Sequence, residues 1–276
     1  MSKNIQLLLI DPQNDFASPN GSLFVPGSDQ DMIKVGKLIN RLSKKIDDIH
    51  VTLDSHRLLD IAHPLMHINS DGEHPSPFTI ISSSDYDNGV WRCTNPNWQS
   101  RIVDYVHQLE VNGRYPLCIW PVHCRIAATT RLNDGSEFCG HAVVLPVSEA
   151  LVKWEEDNFA TVDYCVKGSN LFTENYSILK ADVPDPSDPS TQLNTELLSV
   201  LQEADEIIIA GEALSHCVKS SIEDVANEFD DSSIKKFILL EDCCSNVPGF
   251  EGLGRDFVKD MKARGMRTTT STDYLA

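Results

Sequence analysis

Short runs of uninterrupted apolar residues recur along this chain, separated by longer stretches with apolar residues at helical spacing. IQLLLID (5–11) and EIIIAGE (206–212) are the clearest runs. A strand that is apolar at nearly every position has no face left for water, so it belongs inside a sheet covered on both sides. IHVTLD (49–54), AVVLPV (142–147), TVDYCVKG (161–168), FILLEDC (237–243) and MRTTTS (266–271) read as further strands. Between them, residues 29–47 place Met32, Ile33, Val35, Leu38, Ile39, Leu42 and Ile46 on one helical face. Segments 97–110, 191–205, 214–229 and 253–265 read as helices, the third of these starting near Ser215 and the last stopped by Gly265. Alternation of this kind predicts an α/β fold: a three-layer, doubly wound, mostly parallel sheet with helices on both faces.

Two segments break the alternation. Residues 64–119 are rich in Ser, Asp, Asn, Pro and Gly and are too long for a plain connection, so they read as an insertion or lid. Residues 181–190, ADVPDPSDPS, read as an acidic, proline-punctuated loop. The strand pattern resumes after each, so residues 1–276 read as one domain carrying an insertion at about 64–119.

Charge excludes whole classes of partner. The chain has 41 acidic and 23 basic residues, a net of −18, which argues against nucleic acid and anionic membrane surfaces. No run approaches the roughly 18 apolar residues of a membrane span. The N-terminal apolar run is short and is followed at once by Asp11 and Asp15, a poor secretory signal. Eight cysteines with no CxxC pair argue against a disulfide scaffold or a zinc ribbon. Reduced thiols in a cytoplasmic setting are the expectation.

In open α/β sheets ligands collect at the carboxyl ends of the strands. Asp11 follows the first strand, Asp54 and His56 the second, Lys167 the strand at 161–166, and Cys217 follows IIIAG at the start of a helix. Taken singly, each has an ordinary reading as a turn residue, a solvated cation or a small buried apolar group. Cys217 stands out because a helix N-terminus offers positive potential and free N–H groups, which favour a thiolate and could hold an oxyanion. Asp54 and His56 point the same way if the backbone is extended, and His123 offers a third ligand for zinc, iron or manganese. His63, His67 and His74 lie in polar surroundings and read as surface residues.

Five motifs, in order, carry a resemblance: LLLIDPQNDF (7–16), TLDSH (52–56), IWPVHC (119–124), VKGSNLFTENYS (166–177) and AGEALSHCVKSS (210–221). With them the chain resembles the nicotinamidase branch of the isochorismatase-like cysteine hydrolases. That resemblance implies a catalytic triad of Asp11, Lys167 and Cys217. Asp11 would take the thiol proton and pass it to the leaving ammonia, and Lys167 would lower the thiol pKa. A thioester would form on Cys217 and be hydrolysed by water. The N–H groups of Ala213 and Cys217 would form the oxyanion hole, with a cis peptide at Glu212–Ala213. Asp54, His56 and His123 would hold one divalent metal ion, zinc first and iron or manganese as alternatives, that binds the ring nitrogen of the substrate. Glu174 would approach the metal through water, and Phe16 and Trp120 would flank the ring. Cys124 belongs to the motif without a role of its own.

Three departures bear on the substrate. The span from His56 to His123 is long for such an enzyme, and serves as a lid, an oligomer contact or a specificity wall, so a homo-oligomer stays open. Glu212 stands where a neutral residue is usual and would raise the Cys217 pKa. The stretch RLLDIAHP after His56 does not reveal a fourth protein ligand. The implied reaction is conversion of nicotinamide to nicotinate and ammonia, in pyridine nucleotide salvage. The alternatives are hydrolysis of another small amide, carbamoyl or ureido compound, and a non-catalytic scaffold.

Overall fold

The computed structural model describes residues 3–112, 115–230 and 232–276. Six parallel strands form its central sheet: β1 (Ile5–Ile10), β2 (Asp48–Asp54), β3 (Asp163–Lys167), β4 (Glu206–Gly211), β5 (Phe237–Leu240) and β6 (Arg267–Thr269). Their spatial order is β6-β5-β4-β1-β2-β3. The chain therefore winds outward from β1 in one direction to β3, then returns beside β1 and winds the other way. The reversal lies between β1 and β4, both of which are buried at every position. Backbones approach closely there: Gly211 ends β4 with φ 126°, and a Cβ on it would lie 2.0 Å from the Ile10 carbonyl oxygen.

Helices α1 (Ser28–Leu42) and α3 (Leu145–Asn158) cover one face, and α2 (Gln99–Asn112), α4 (Thr195–Glu203), α5 (Lys219–Glu228) and α6 (Glu251–Arg264) cover the other. Strand alternation sorts the two cores. Leu7, Leu9, Val51 and Ile208 pack with Met32, Val35 and Trp154, while Leu8, Ile10, Ile207 and Ile209 pack with Ile222, Val225 and Phe257. The predicted three-layer α/β architecture is what forms. No described helix is long and apolar enough to cross a membrane.

Three local expectations are corrected. Residues 142–147 are not a strand: Val143 makes one isolated antiparallel bridge with Gln13, Val144 is an N-cap, and α3 begins at Leu145 with Pro146 in its first turn. Proline lacks the N–H a strand ladder needs but suits the first turn of a helix. The helix at 214–229 is two pieces, a wide π-helical turn over Leu214–Val218 and then α5. The helix expected at 191–205 shortens to α4, because Asn194 caps it by accepting from the Leu197 N–H.

The described residues of the 64–119 insertion pack around the second core. His67–Ile68 pairs with Arg92–Cys93, and Ile80–Ile81 with Leu117–Cys118, both antiparallel. Its Ile81, Tyr86, Ile102, Val106 and Leu117 belong to the same apolar cluster as Leu8 and Ile209.

Helix α1 packs on α3 through Gly36, where an added Cβ would sit 2.4 Å from the Pro146 carbonyl oxygen. A methyl there forces the helices apart. Gly36→Ala should lower stability by about 1–3 kcal/mol despite alanine's better helix propensity. Urea unfolding followed by tryptophan fluorescence checks this, and a gain in midpoint would contradict it.

Candidate active site

The site forms where the strand order reverses. Register sets Asp54 on β2 directly opposite Lys167 on β3. Alternation turns Thr52, Asp54 and Lys167 toward the face of the sheet that carries α5. Asp11, just past β1, is held with φ 44°. Its N–H donates to Thr52 Oγ1 at 2.9 Å, and the Thr52 hydroxyl donates back to Asp11 Oδ1. Cys217 arrives from the turn after β4, in which the Val218 N–H reaches back to the Ala213 carbonyl at 3.2 Å.

Lys167 joins these groups. Its Nζ lies 3.0 Å from Asp11 Oδ2, 3.0 Å from Asp54 Oδ1, 2.9 Å from the Asn175 carbonyl oxygen and 3.6 Å from Cys217 Sγ. Burial opposes its charge, but Asp11, Asp54 and Cys217 outweigh that and hold its pKa well above the usual range. Burial pushes the Cys217 thiol well up; Lys167 pulls it down, while Asp11 and Asp54 push it further up. The expected lowering by Lys167 is present but outweighed by burial and the two carboxyl groups. Burial likewise raises Asp11, against the pull of Lys167. A thiol beside a buried carboxyl group is set for proton transfer on attack rather than for a standing thiolate.

Asp54, His56 and His123 converge behind this triad. Asp54 Oδ2 lies 3.0 Å from His56 Nε2 and 3.4 Å from His123 Nε2. All three residues are buried, with ligand atoms within 4.8 Å of one another. Each histidine's other nitrogen is already engaged, His56 Nδ1 with Asp60 Oδ2 at 2.9 Å and His123 Nδ1 with the Pro121 carbonyl oxygen at 2.8 Å. Both Nε2 atoms are therefore directed at one point, the arrangement a tetrahedral or octahedral divalent ion needs from three protein ligands. The residues fit the metal that the motifs imply. Burial opposes the His56 charge, but Asp54 and Asp60 overcome it and raise its pKa well above the usual value. Glu174 groups with His56 and Asp60, and burial raises its pKa to about 8.

Phe16, Trp120, Tyr176, His216, Ala213 and Cys217 line one cavity together with Asp54, His123 and Glu174. Phe16 meets His123 edge-on with ring centroids 5.4 Å apart, and Trp120 meets His216 edge-on at 5.3 Å. The peptide Glu212–Ala213 is cis.

Several sequence expectations are corrected. His63 and His67 are fully buried; only His74 is exposed. His67 bonds Tyr86 and the Ile61 carbonyl, so it is structural. His63 Nε2 meets His123 Nδ1 at 3.3 Å, and burial lowers its pKa to about 3. It supports His123 rather than joining the triangle. Glu212 does not face the thiol: its Oε2 accepts from the Ser245 N–H at 3.1 Å, on the far side of the sheet. A period-two count from Ile208 through Ala210 would have placed it there.

Other residues escaped sequence reasoning. The Gln13 side chain bonds both backbone groups of Asp54, each at 2.8 Å. The Cys124 N–H donates to Asp15 Oδ2 at 2.6 Å, and its carbonyl accepts from the His56 N–H at 3.0 Å, so Cys124 serves through its backbone. Gln13 and Asp15 lie in the first motif, which was the only available signal. Tyr115, at the end of the insertion, donates to the Ser215 carbonyl at 3.0 Å and stacks on His216 at 5.2 Å. The insertion thereby buttresses a wall of the cavity.

No protein-family model matches the chain, and no curated protein matches it. Solved structures do match, and they share the α/β fold described above. The yeast nicotinamidase Pnc1p bound to the inhibitor nicotinaldehyde aligns over 96% of this chain and 99% of its own, at 18% identity and TM-score 0.65. An Acinetobacter baumanii nicotinamidase/pyrazinamidase covers 99% and 98%, at 20% identity and TM-score 0.61. A Pyrococcus horikoshii pyrazinamidase, solved in complex with zinc, covers 97% and 99%, at 18% identity and TM-score 0.56. The fold of this chain is theirs.

Asp60 is buried against His56 and accepts from the Ala62 N–H with its other oxygen. Asp60→Asn should leave the chain folded yet weaken divalent-metal retention about 10–100-fold. Zinc competition with a chromophoric chelator reads this directly.

Proposed function

We propose that this chain is a cysteine amidohydrolase that converts nicotinamide to nicotinate and ammonia. The observation that carries the reading is one shared ammonium: Lys167 Nζ, 3.0 Å from Asp11 and 3.6 Å from Cys217, lies 3.0 Å from the Asp54 carboxylate that anchors the metal triangle. One set of contacts couples a nucleophile, its base and a ring-nitrogen clamp. The solved neighbours named as nicotinamidases and pyrazinamidases support the same assignment.

In this reading the amide enters between Phe16 and Trp120. Asp11 takes the Cys217 proton as Sγ attacks the carbonyl carbon, and Lys167 balances the two buried anions. The N–H groups of Ala213 and Cys217 hold the oxyanion. Asp11 then gives its proton to the departing nitrogen, and ammonia leaves a thioester on Cys217. Asp11 next takes a proton from water, whose oxygen attacks the thioester; nicotinate leaves and the thiol is restored. Asp54, His56 and His123 would hold a divalent ion, zinc first, which when bound would supply Lewis acidity that orients the pyridine nitrogen. Release of nicotinate for pyridine nucleotide salvage in the cytoplasm is the proposed role.

Ammonia release from nicotinamide by metal-replete protein is the deciding assay. Cys217→Ala should lower the rate at least ~10³-fold with its metal content unchanged. Turnover of a carbamoylated amine in place of nicotinamide would reassign the substrate, and an active Cys217→Ala would remove the nucleophile. Chelation should raise KM more than it lowers kcat, with recovery on adding zinc.

A further inference from the structure

Glu212 is fully buried and takes no part in the chemistry above. Its Oε2 accepts from the Ser245 N–H, while Oε1 is buried with no donor to accept from. Burial and the nearby Asp31 on α1 both push the Glu212 carboxyl up. Ser245 touches both carboxyls, since its hydroxyl donates to Asp31 Oδ2 at 2.5 Å.

The surroundings assign the charges. Burial raises the Asp31 carboxyl, but Asp31 lies in the first turn of α1, where the helix dipole favours an anion, and the Ser245 hydroxyl and Lys34, whose Nζ is 3.4 Å from Oδ1, pull it back down. Among the described residues, no cation pairs with Glu212. From the segment after β5, Cys243 and Cys244 are thiols that burial pushes up, and Asp242 is an anion held by the Ser271 N–H and hydroxyl. A second negative charge here meets Asp31 and Asp242 with only Lys34 to offset them. Glu212 is accordingly the neutral acid of the two.

This pair joins three segments that each line the cavity. Leu23 and Val25 precede α1, Ala213 and Cys217 follow β4, and Val247 follows β5. The last two are further laced by bonds from the Leu214 N–H to the Ser245 carbonyl at 2.8 Å and from the Val247 N–H to Ser215 Oγ at 3.1 Å.

We propose that Glu212 is a positioning residue whose carboxylic acid, shared between Ser245 and Asp31, latches three walls of the active site together, and that alkaline loss of its proton opens the latch. The consequence for turnover rests on the amidohydrolase reading; the consequence for stability does not. Burial and Asp31 raise the Glu212 pKa well above its unfolded value. Stability from this proton is therefore full below the unfolded carboxyl range and is lost as pH rises toward the folded value.

Glu212→Gln keeps the acceptor for Ser245 and a donor for Asp31 but has no proton to lose. Thermal unfolding and kcat should be followed for both proteins from about pH 5 to about pH 9. The wild-type Tm should fall below that of Glu212→Gln by at least ~3 °C as pH rises. In parallel, wild-type kcat should drop several-fold more steeply than the variant's. Asp31→Asn, which removes the repelling charge, should flatten both curves too and carries the test if Glu212→Gln does not fold. Parallel wild-type and variant Tm curves overturn the latch. Loss of nicotinamide turnover at every pH with the Tm divergence intact overturns only the substrate reading.

Discussion

The ammonium of Lys167 is the group on which the site depends. It is buried beside Asp11, Asp54 and the Cys217 thiol. Three potential anions in a low-dielectric interior repel one another strongly, and without a cation they would protonate or push the strand ends apart. Lys167 can stay charged there because two carboxylates and the Asn175 carbonyl accept from it. Each acid in turn owes its place to the lysine. The triad and the metal triangle are one electrostatic unit, with Asp54 facing Lys167 through one oxygen and the two histidines through the other.

The sheet makes that unit possible. Strand order brings the ends of β1, β2, β3 and β4 side by side, and parallel direction puts all four ends at one edge. Period-two alternation sends Asp54 and Lys167 to the same face as Cys217. The supporting layer is mostly backbone and amide: Gln13 mimics a neighbouring strand against Asp54, and the Cys124 peptide ties Asp15 to His56. On the opposite face, Glu212, Asp31 and Ser245 form a second polar node beside the turn that carries Cys217.

Legibility in the sequence followed periodicity. The apolar runs of β1, β4 and β5 admit one placement, and the residues that follow them fall at the ligand-binding edge whatever the family. Where a run had two uses, the reading failed: AVVLPV is apolar enough for a strand, yet Pro146 opens helix α3 there. The histidines failed for another reason. His63 and His67 belong to a stretch that is polar as a whole, yet their immediate neighbours Ile61, Ala62, Leu65, Met66 and Ile68 are apolar, and in space backbone carbonyls and neighbouring rings satisfy both histidines. The average polarity of a long segment says nothing about what folds over one residue in it.

The sequence alone determined the fold class and placed Asp11, Asp54, His56, Lys167 and Cys217 at strand ends, because alternation and strand-end position are local properties; His123 came from its motif. Tertiary structure decided what those residues do to one another. Whether Cys217 rests as thiol or thiolate depends on burial and on two carboxylates from other strands. Whether Glu212 touches the nucleophile depends on which face of the sheet it leaves by. Both are sums over distances between residues far apart in the chain, and only folding sets those distances.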